Sequence, residues 1–199
     1  MKVIAIATQQ GGVGKTTTVA TLAQYLRERG HFVGLLDLDP QACLGLLATD
    51  VERIEPSDLA RAIKRHAADD YVLIDTPPSL GEATDAATQA AHGVIIPTQP
   101  EFLALRGLGS LLAAIDVSKV IGLVVTGYRG HVTHHRRVLE RLGELGHPIL
   151  AVVPYTIAAA DAGLAGKSLV SYGPARSRGV VAAYHQLAGR VEAWAQKTE

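Results

Sequence analysis

The chain has 199 residues, 48% of them hydrophobic, with 19 basic and 19 acidic side chains, so its formal net charge is zero. That length suits one domain, residues 1–199, with a sizeable core. Zero net charge excludes a globally basic nucleic-acid binder and leaves DNA contact to local patches or assembly. Cys43 is the only cysteine, which excludes a disulfide framework and a multi-cysteine metal centre within one chain, and suits a reducing cytoplasm.

Val3–Ala7 is a short, continuously apolar run and reads as a buried parallel strand. Lys2 before it reads as the start of that strand rather than of a secretory leader, and no apolar run approaches the length that spans a bilayer. A glycine-rich loop follows, Gln10-Gly11-Gly12-Val13-Gly14-Lys15-Thr16-Thr17, and then a helix from Thr16 to Arg29 with Val19, Leu22, Ala23 and Leu26 on one face. Strand, glycine loop and helix start make a cradle for phosphate. Backbone N–H groups converge there, the helix N-terminus carries partial positive charge, Lys15 adds a full one, and the Thr16 hydroxyl is placed for Mg²⁺.

Phe32–Leu38 reads as a second strand, with Asp37 and Asp39 at its C-terminal mouth, the edge where open α/β sheets bind ligands. A short helix is expected over Ala42–Leu47 and another over Leu59–Ala68, started by Glu55-Pro56-Ser57-Asp58. Tyr71–Ile74 is a third strand and runs into Asp75-Thr76-Pro77-Pro78. A carboxylate after four apolar residues, beside a phosphate loop, is placed to hold Mg²⁺ through a water. Helices over Glu82–Ala91, Phe102–Ile115 and His131–Leu145 alternate with strands over Gly93–Ile96, Val120–Val125 and Ile149–Val153. A polar, glycine-rich connection leads to the closing helix, Val180–Gln196, whose Tyr184, Leu187, Val191 and Trp194 share a face. The alternation predicts an α/β fold, a mostly parallel sheet with helices on both faces. His131, His134, His135 and His147 lack an acid or cysteine at ligand spacing and read as solvated residues.

Five segments in order carry a resemblance: Gln10–Thr17, Leu36-Asp-Leu-Asp-Pro-Gln, Leu73-Ile-Asp-Thr-Pro-Pro-Ser, Ile96–Leu108 and Arg176-Ser-Arg-Gly. Together they resemble the ParA/MinD-type ATPases with a deviant Walker A loop, most closely the small ParA proteins of DNA segregation. The resemblance implies a P-loop NTPase-type three-layer sandwich that binds ATP or ADP with Mg²⁺. It implies phosphate and nucleotide contacts from Gly11, Gly12, Val13, Gly14, Lys15, Thr16 and Thr17. Asp39 positions the attacking water, and Thr16, Asp39 and Asp75 serve the metal, the carboxylates through water. Pro154 and Tyr155 lie on the adenine side, with Thr126 and Gly127 as neighbours.

It also implies an ATP-dependent sandwich homodimer, sequence-independent DNA binding through Arg176 and Arg178, a ParB-type centromere-binding partner that stimulates slow hydrolysis, and a cytoplasmic, nucleoid-associated life without stable membrane association. One position departs from the family. Gln10 stands where the signature lysine reaches across the dimer to the partner's nucleotide, and Arg129 is a candidate to supply that charge instead. Open alongside are a nucleotide switch with negligible hydrolysis, a MinD-like positioning ATPase, and an ATP-dependent small-molecule ligase.

Overall fold

A computed structural model of the chain describes residues 1–165, 167, 169–172 and 178–198. Seven strands are described: β1 (Lys2–Ile6), β2 (Val33–Asp37), β3 (Val51–Arg53), β4 (Tyr71–Asp75), β5 (Gly93–Thr98), β6 (Val120–Tyr128) and β7 (Ile149–Pro154). They form one sheet in the order β3-β2-β4-β1-β5-β6-β7, and every pairing is parallel. The expected strands are all present, because each is an apolar run buried on both faces, as a covered parallel sheet requires.

Nine α-helices are described: α1 (Lys15–Glu28), α2 (Leu44–Leu47), α3 (Leu59–Arg65), α4 (Glu82–Ala90), α5 (Phe102–Ala114), α6 (Thr133–Gly143), α7 (Ala158–Leu164), α8 (Leu169–Tyr172) and α9 (Arg178–Lys197). From β1 the chain passes leftward over β4 to β2, and from β4 it passes rightward over β1 to β5. Crossovers of one hand taken in opposite directions place their helices on opposite faces. Two apolar clusters result. Ile4, Ile6, Leu35 and Leu73 pack with α1 and α9, whereas Val3, Ala5, Leu36 and Ile74, the alternate residues of the same strands, pack with α3 to α6. β1 sits at the switch, with β4 and β5 on either side of it.

Three expectations need correction. No strand is expected between Leu38 and Tyr71, yet β3 forms there. It is a three-residue edge strand pairing Val51 with Leu35, and Val-Glu-Arg is too short and too charged to show a period. The connection after β7 contains α7 and α8, the first driven by Ala158-Ala-Ala-Asp-Ala, strong helix formers that glycine content had masked. His135 is not solvated. It is nearly buried on the inner face of α6 with Val138 and Leu142, and its Nδ1 accepts the Arg129 N–H at 3.0 Å.

α9 behaves as its pattern predicts. Tyr184, Leu187 and Val191 are buried, Trp194 packs beside them, and each full burial is worth roughly 1.5–3 kcal/mol. No helix among the described residues is long and apolar enough to cross a membrane.

Candidate nucleotide site

The carboxyl ends of β1, β2, β4, β5, β6 and β7 meet at one edge of the sheet, and the glycine loop leaves β1 at its middle. Gly12 has φ +73° and Gly14 φ +86°, left-handed conformations that side chains resist, so glycine is required at both. Gly14 is the N-cap of α1, and no side chain caps its first amides. Those donors, together with the helix dipole, are left facing whatever anion enters the loop. Lys15 is 6% exposed, and its ammonium donates to the Gln10 carbonyl at 3.3 Å. Burial pushes the Lys15 pKa down, while Asp75 and Asp39 pull it back up.

Asp37 and Asp75 end adjacent strands and stand opposite each other in register, and Ile6 of β1 is the residue on the far side of Asp75. Both acids are buried. Asp37 Oδ1 accepts the Asp39 N–H at 2.9 Å, so this acid shapes the turn that carries Asp39. β2 ends at Asp37, and Asp39 lies in that turn rather than on the strand, half-buried, its Oδ1 accepting the Gln41 N–H at 3.0 Å. Asp37 Oδ2 and both oxygens of Asp75 have no hydrogen-bond partner. Burial pushes Asp75 up to about 7. The nearby Thr16 hydroxyl draws it down, though no donor meets either oxygen at ordinary hydrogen-bond geometry. Burial likewise raises Asp37.

Buried carboxylate oxygens without donors are costly unless a cation meets them. Three such oxygens beside a threonine hydroxyl and a phosphate loop are a hard, oxygen-rich set that fits Mg²⁺. Among the described residues no three or more His, Cys, Asp and Glu side chains group as a metal site, so the set here is two buried carboxylates with a hydroxyl, and the nucleotide phosphates would have to complete it.

A cavity of about 380 Å³ opens from the loop toward β6 and β7, lined by Val13, Thr17, Thr126, Gly127, Pro154 and Tyr155 among others. The residues expected on the adenine side are thus brought to the phosphate loop, although they lie far along the chain. The Arg129 guanidinium stacks on the Tyr155 ring, 3.8 Å from its centroid. Arg129 thus has a ring contact within its own chain. A larger depression of about 650 Å³ between α1 and α2 is lined by Arg27, Glu28 and Leu46 and contains none of Asp37, Asp39 and Asp75.

Gln10 is half-exposed beside the loop. Arg178 is exposed at the start of α9, while Arg176 lies outside the described residues.

Contacts that the sequence does not announce also shape the site. Thr126 Oγ1 donates to the Val13 carbonyl at 2.8 Å, and Gln99 Nε2 donates to the Gly12 carbonyl at 3.4 Å. Thr76 Oγ1 ties the Asp75 turn to the Ile6 carbonyl at 3.0 Å. Thr18, whose hydroxyl donates to the Gly14 carbonyl at 2.7 Å, lies 3.2 Å from the buried Tyr184 hydroxyl of α9.

Comparison with known proteins adds ancestry to this geometry. The model of the CobQ/CobB/MinD/ParA nucleotide binding domain matches residues 4–170. The chromosome-partitioning ATPase Soj of Thermus thermophilus is 32% identical, the match covering 98% of this chain and 96% of that protein. The alignment runs over 242 positions, so the relative carries segments that this chain lacks. The sporulation initiation inhibitor protein Soj of Bacillus subtilis is 29% identical, with 96% of this chain and 98% of that protein covered.

Among solved structures, the septum site-determining protein MinD of Pyrococcus horikoshii, complexed with Mg-ADP, superposes with a TM-score of 0.80 at 23% identity, covering 100% of this chain and 98% of that one. A cobyrinic acid a,c-diamide synthase of Mycobacterium smegmatis, with a bound ATP analogue and magnesium, gives 0.76 at 32% identity, covering 98% of this chain and 95% of that one. With its phosphate loop, its buried acids and these matches, the chain belongs to the CobQ/CobB/MinD/ParA nucleotide-binding domain family.

Proposed function

We propose that the chain is an ATP-binding and ATP-hydrolysing DNA-partitioning protein. The observation that carries this is the meeting of Lys15 and the glycine loop with buried, unpartnered carboxylates on the neighbouring strands. The two Soj relatives supply the biological class, since one is named a chromosome-partitioning ATPase. Lys15 and the loop amides hold the nucleotide phosphates. Thr16 and Asp75 hold Mg²⁺, with Asp37 and Asp39 at the same edge, and the bound ion supplies charge neutralisation of the phosphates. Asp39, in a turn pinned by Asp37, orients the attacking water. Pro154 and Tyr155 flank the adenine end. Phosphoryl transfer asks little covalent chemistry of the protein, so positioning and charge do the work.

In this reading ATP drives a sandwich dimer that binds DNA without sequence preference through Arg176 and Arg178, and a ParB-type partner stimulates slow turnover. The apolar face of α9 is committed to the core, which leaves none for a bilayer and argues against stable membrane association. The test measures oligomeric state with ATP and with ADP, and phosphate release with and without DNA and partner. ATP-dependent dimers and stimulated release support the proposal. A monomer in both nucleotides with no release sinks it.

A second reading rests on Gln10. With no lysine there and Arg129 stacked on Tyr155, the chain acts as a nucleotide switch that binds ATP and hydrolyses negligibly. Tight ATP binding without phosphate release under any condition supports the switch.

A further inference from the structure

Three consecutive carbonyls of the phosphate loop are held, two by side chains from the far half of the sheet and the third by α1 itself, whose Thr18 N–H also donates to Gly14. Gln99 Nε2, just beyond β5, donates to Gly12. Thr126 Oγ1, within β6, donates to Val13 and lies 3.3 Å from the Thr98 carbonyl. Thr18 Oγ1, on α1, donates to Gly14. The peptide bonds are trans, and in a planar trans peptide the N–H points opposite to the C=O. Turning these three carbonyls outward therefore turns the amides of Val13, Gly14 and Lys15 the other way, toward the cradle.

The hold is needed because the 12–13 and 13–14 peptides each have a glycine at one end. Glycine tolerates nearly all of φ/ψ space, so these peptides can rotate at low cost. A rotated 13–14 peptide would present a carbonyl to the phosphate in place of a donor. Thr126 is 7% exposed and its single hydroxyl proton is spent on Val13, 113 positions away in sequence.

We propose that Thr126, assisted by Gln99, is a positioning residue that holds the phosphate loop in its anion-binding form from the far half of the sheet. The inference rests on the nucleotide reading above and deepens it. It assigns the residue to the phosphates rather than to the base, although Thr126 also lines the cavity.

The experiment compares Thr126→Val, which keeps the shape and removes the donor, with Thr126→Ser, which keeps the donor. Affinities for Mg-ADP and, by competition, for magnesium pyrophosphate are measured beside the ligand-free Tm. The expected result is an affinity loss of about tenfold for Val, equal for ADP and pyrophosphate, near-native binding for Ser, and a small change in Tm. Loss for ADP alone assigns Thr126 to the base or ribose and overturns the proposal. Unchanged Mg-ADP binding by Thr126→Val also overturns it, as does Ser failing as badly as Val. Wild type binding neither ligand defeats the nucleotide reading itself, and this inference with it. Wild type binding while the Val variant binds equally well defeats the positioning role alone.

Discussion

At Asp75 the site sets function against stability. Its carboxyl is fully buried and shifted to about 7 from an ordinary 3.8, with burial the largest cause. The sign follows from proton binding. Between about pH 4 and pH 7 the folded chain keeps a proton that the unfolded chain has released, so stability falls as pH rises, and the full cost is present above 7. Three pKa units correspond to an upper figure on the order of 4 kcal/mol. Asparagine cannot ionise. The variant Asp75→Asn, without nucleotide or divalent cation, should therefore melt several degrees above wild type at pH 8 and by less than half that gap at pH 5, while losing Mg²⁺-dependent nucleotide affinity. Thermal melts at the two pH values check this, and an equal gap at both contradicts it.

Gln10 poses the complementary question. Its backbone carbonyl already accepts from Lys15, a contact that any residue there retains. Only the side chain separates it from the family's lysine. Replacing a neutral hydrogen bond by a charge-assisted one adds about 1.4 kcal/mol at the transition state, about tenfold in rate. Gln10→Lys should accordingly raise ATP turnover about tenfold, measured by phosphate release. Unchanged turnover assigns the missing charge to another group.

Among the elements, α9 packs closely against the start of β5. Gly93 opens β5 where a Cβ would fall 2.5 Å from Ile121 Cδ1 and 2.6 Å from Trp194 Cζ2. Contacts that short force side chains off their rotamers, and overpacking of this kind costs about 1–3 kcal/mol. Gly93→Ala should lower the unfolding free energy by that amount, read as a lower urea midpoint at an unaltered m-value, since the same surface is exposed on unfolding.

What could be read from sequence divides along similar lines. β1, β2, β4, β5, β6 and β7 are legible because a doubly covered strand is a nearly continuous apolar run. β3 is not, because an edge strand of three residues owes its conformation to its neighbour Leu35 rather than to itself. His135 was misjudged by residue type, though its spacing to Val138 and Leu142 is the helical period of a buried face. In the site, the loop and the acids are legible as local motifs. The Asp37–Asp75 register, the orphan oxygens and the grip of Thr126 and Gln99 on the loop are long-range products of strand order, with no local pattern to reveal them.

For the whole molecule, the arithmetic of charge decides how DNA could be bound. The protomer has no net charge, and several of its basic side chains are already engaged: Arg61 with Asp58, Arg65 with Glu52, Arg29 with Glu192. Affinity for duplex DNA comes largely from counterions released as phosphates are neutralised, and log K falls with log salt by about 0.9 per phosphate contacted. A lone protomer that meets few phosphates therefore binds weakly at physiological salt. A two-fold dimer presents each group twice on one surface, so the number of phosphates met doubles and the salt slope doubles with it.

If ATP assembles that dimer, non-specific DNA affinity should appear with ATP and Mg²⁺, be lost with ADP, and collapse between 50 and 200 mM salt. Arg178, exposed at the first turn of α9, should contribute one contact per protomer. Arg178→Ala should then lower the slope by about two per dimer, weakening all sequences equally while leaving nucleotide affinity and the ligand-free Tm unchanged. Fluorescence anisotropy on a random duplex across a salt series measures both quantities. Equal binding with ATP and ADP would detach DNA contact from the nucleotide cycle, and an unchanged slope in Arg178→Ala would remove this end of α9 from the DNA surface.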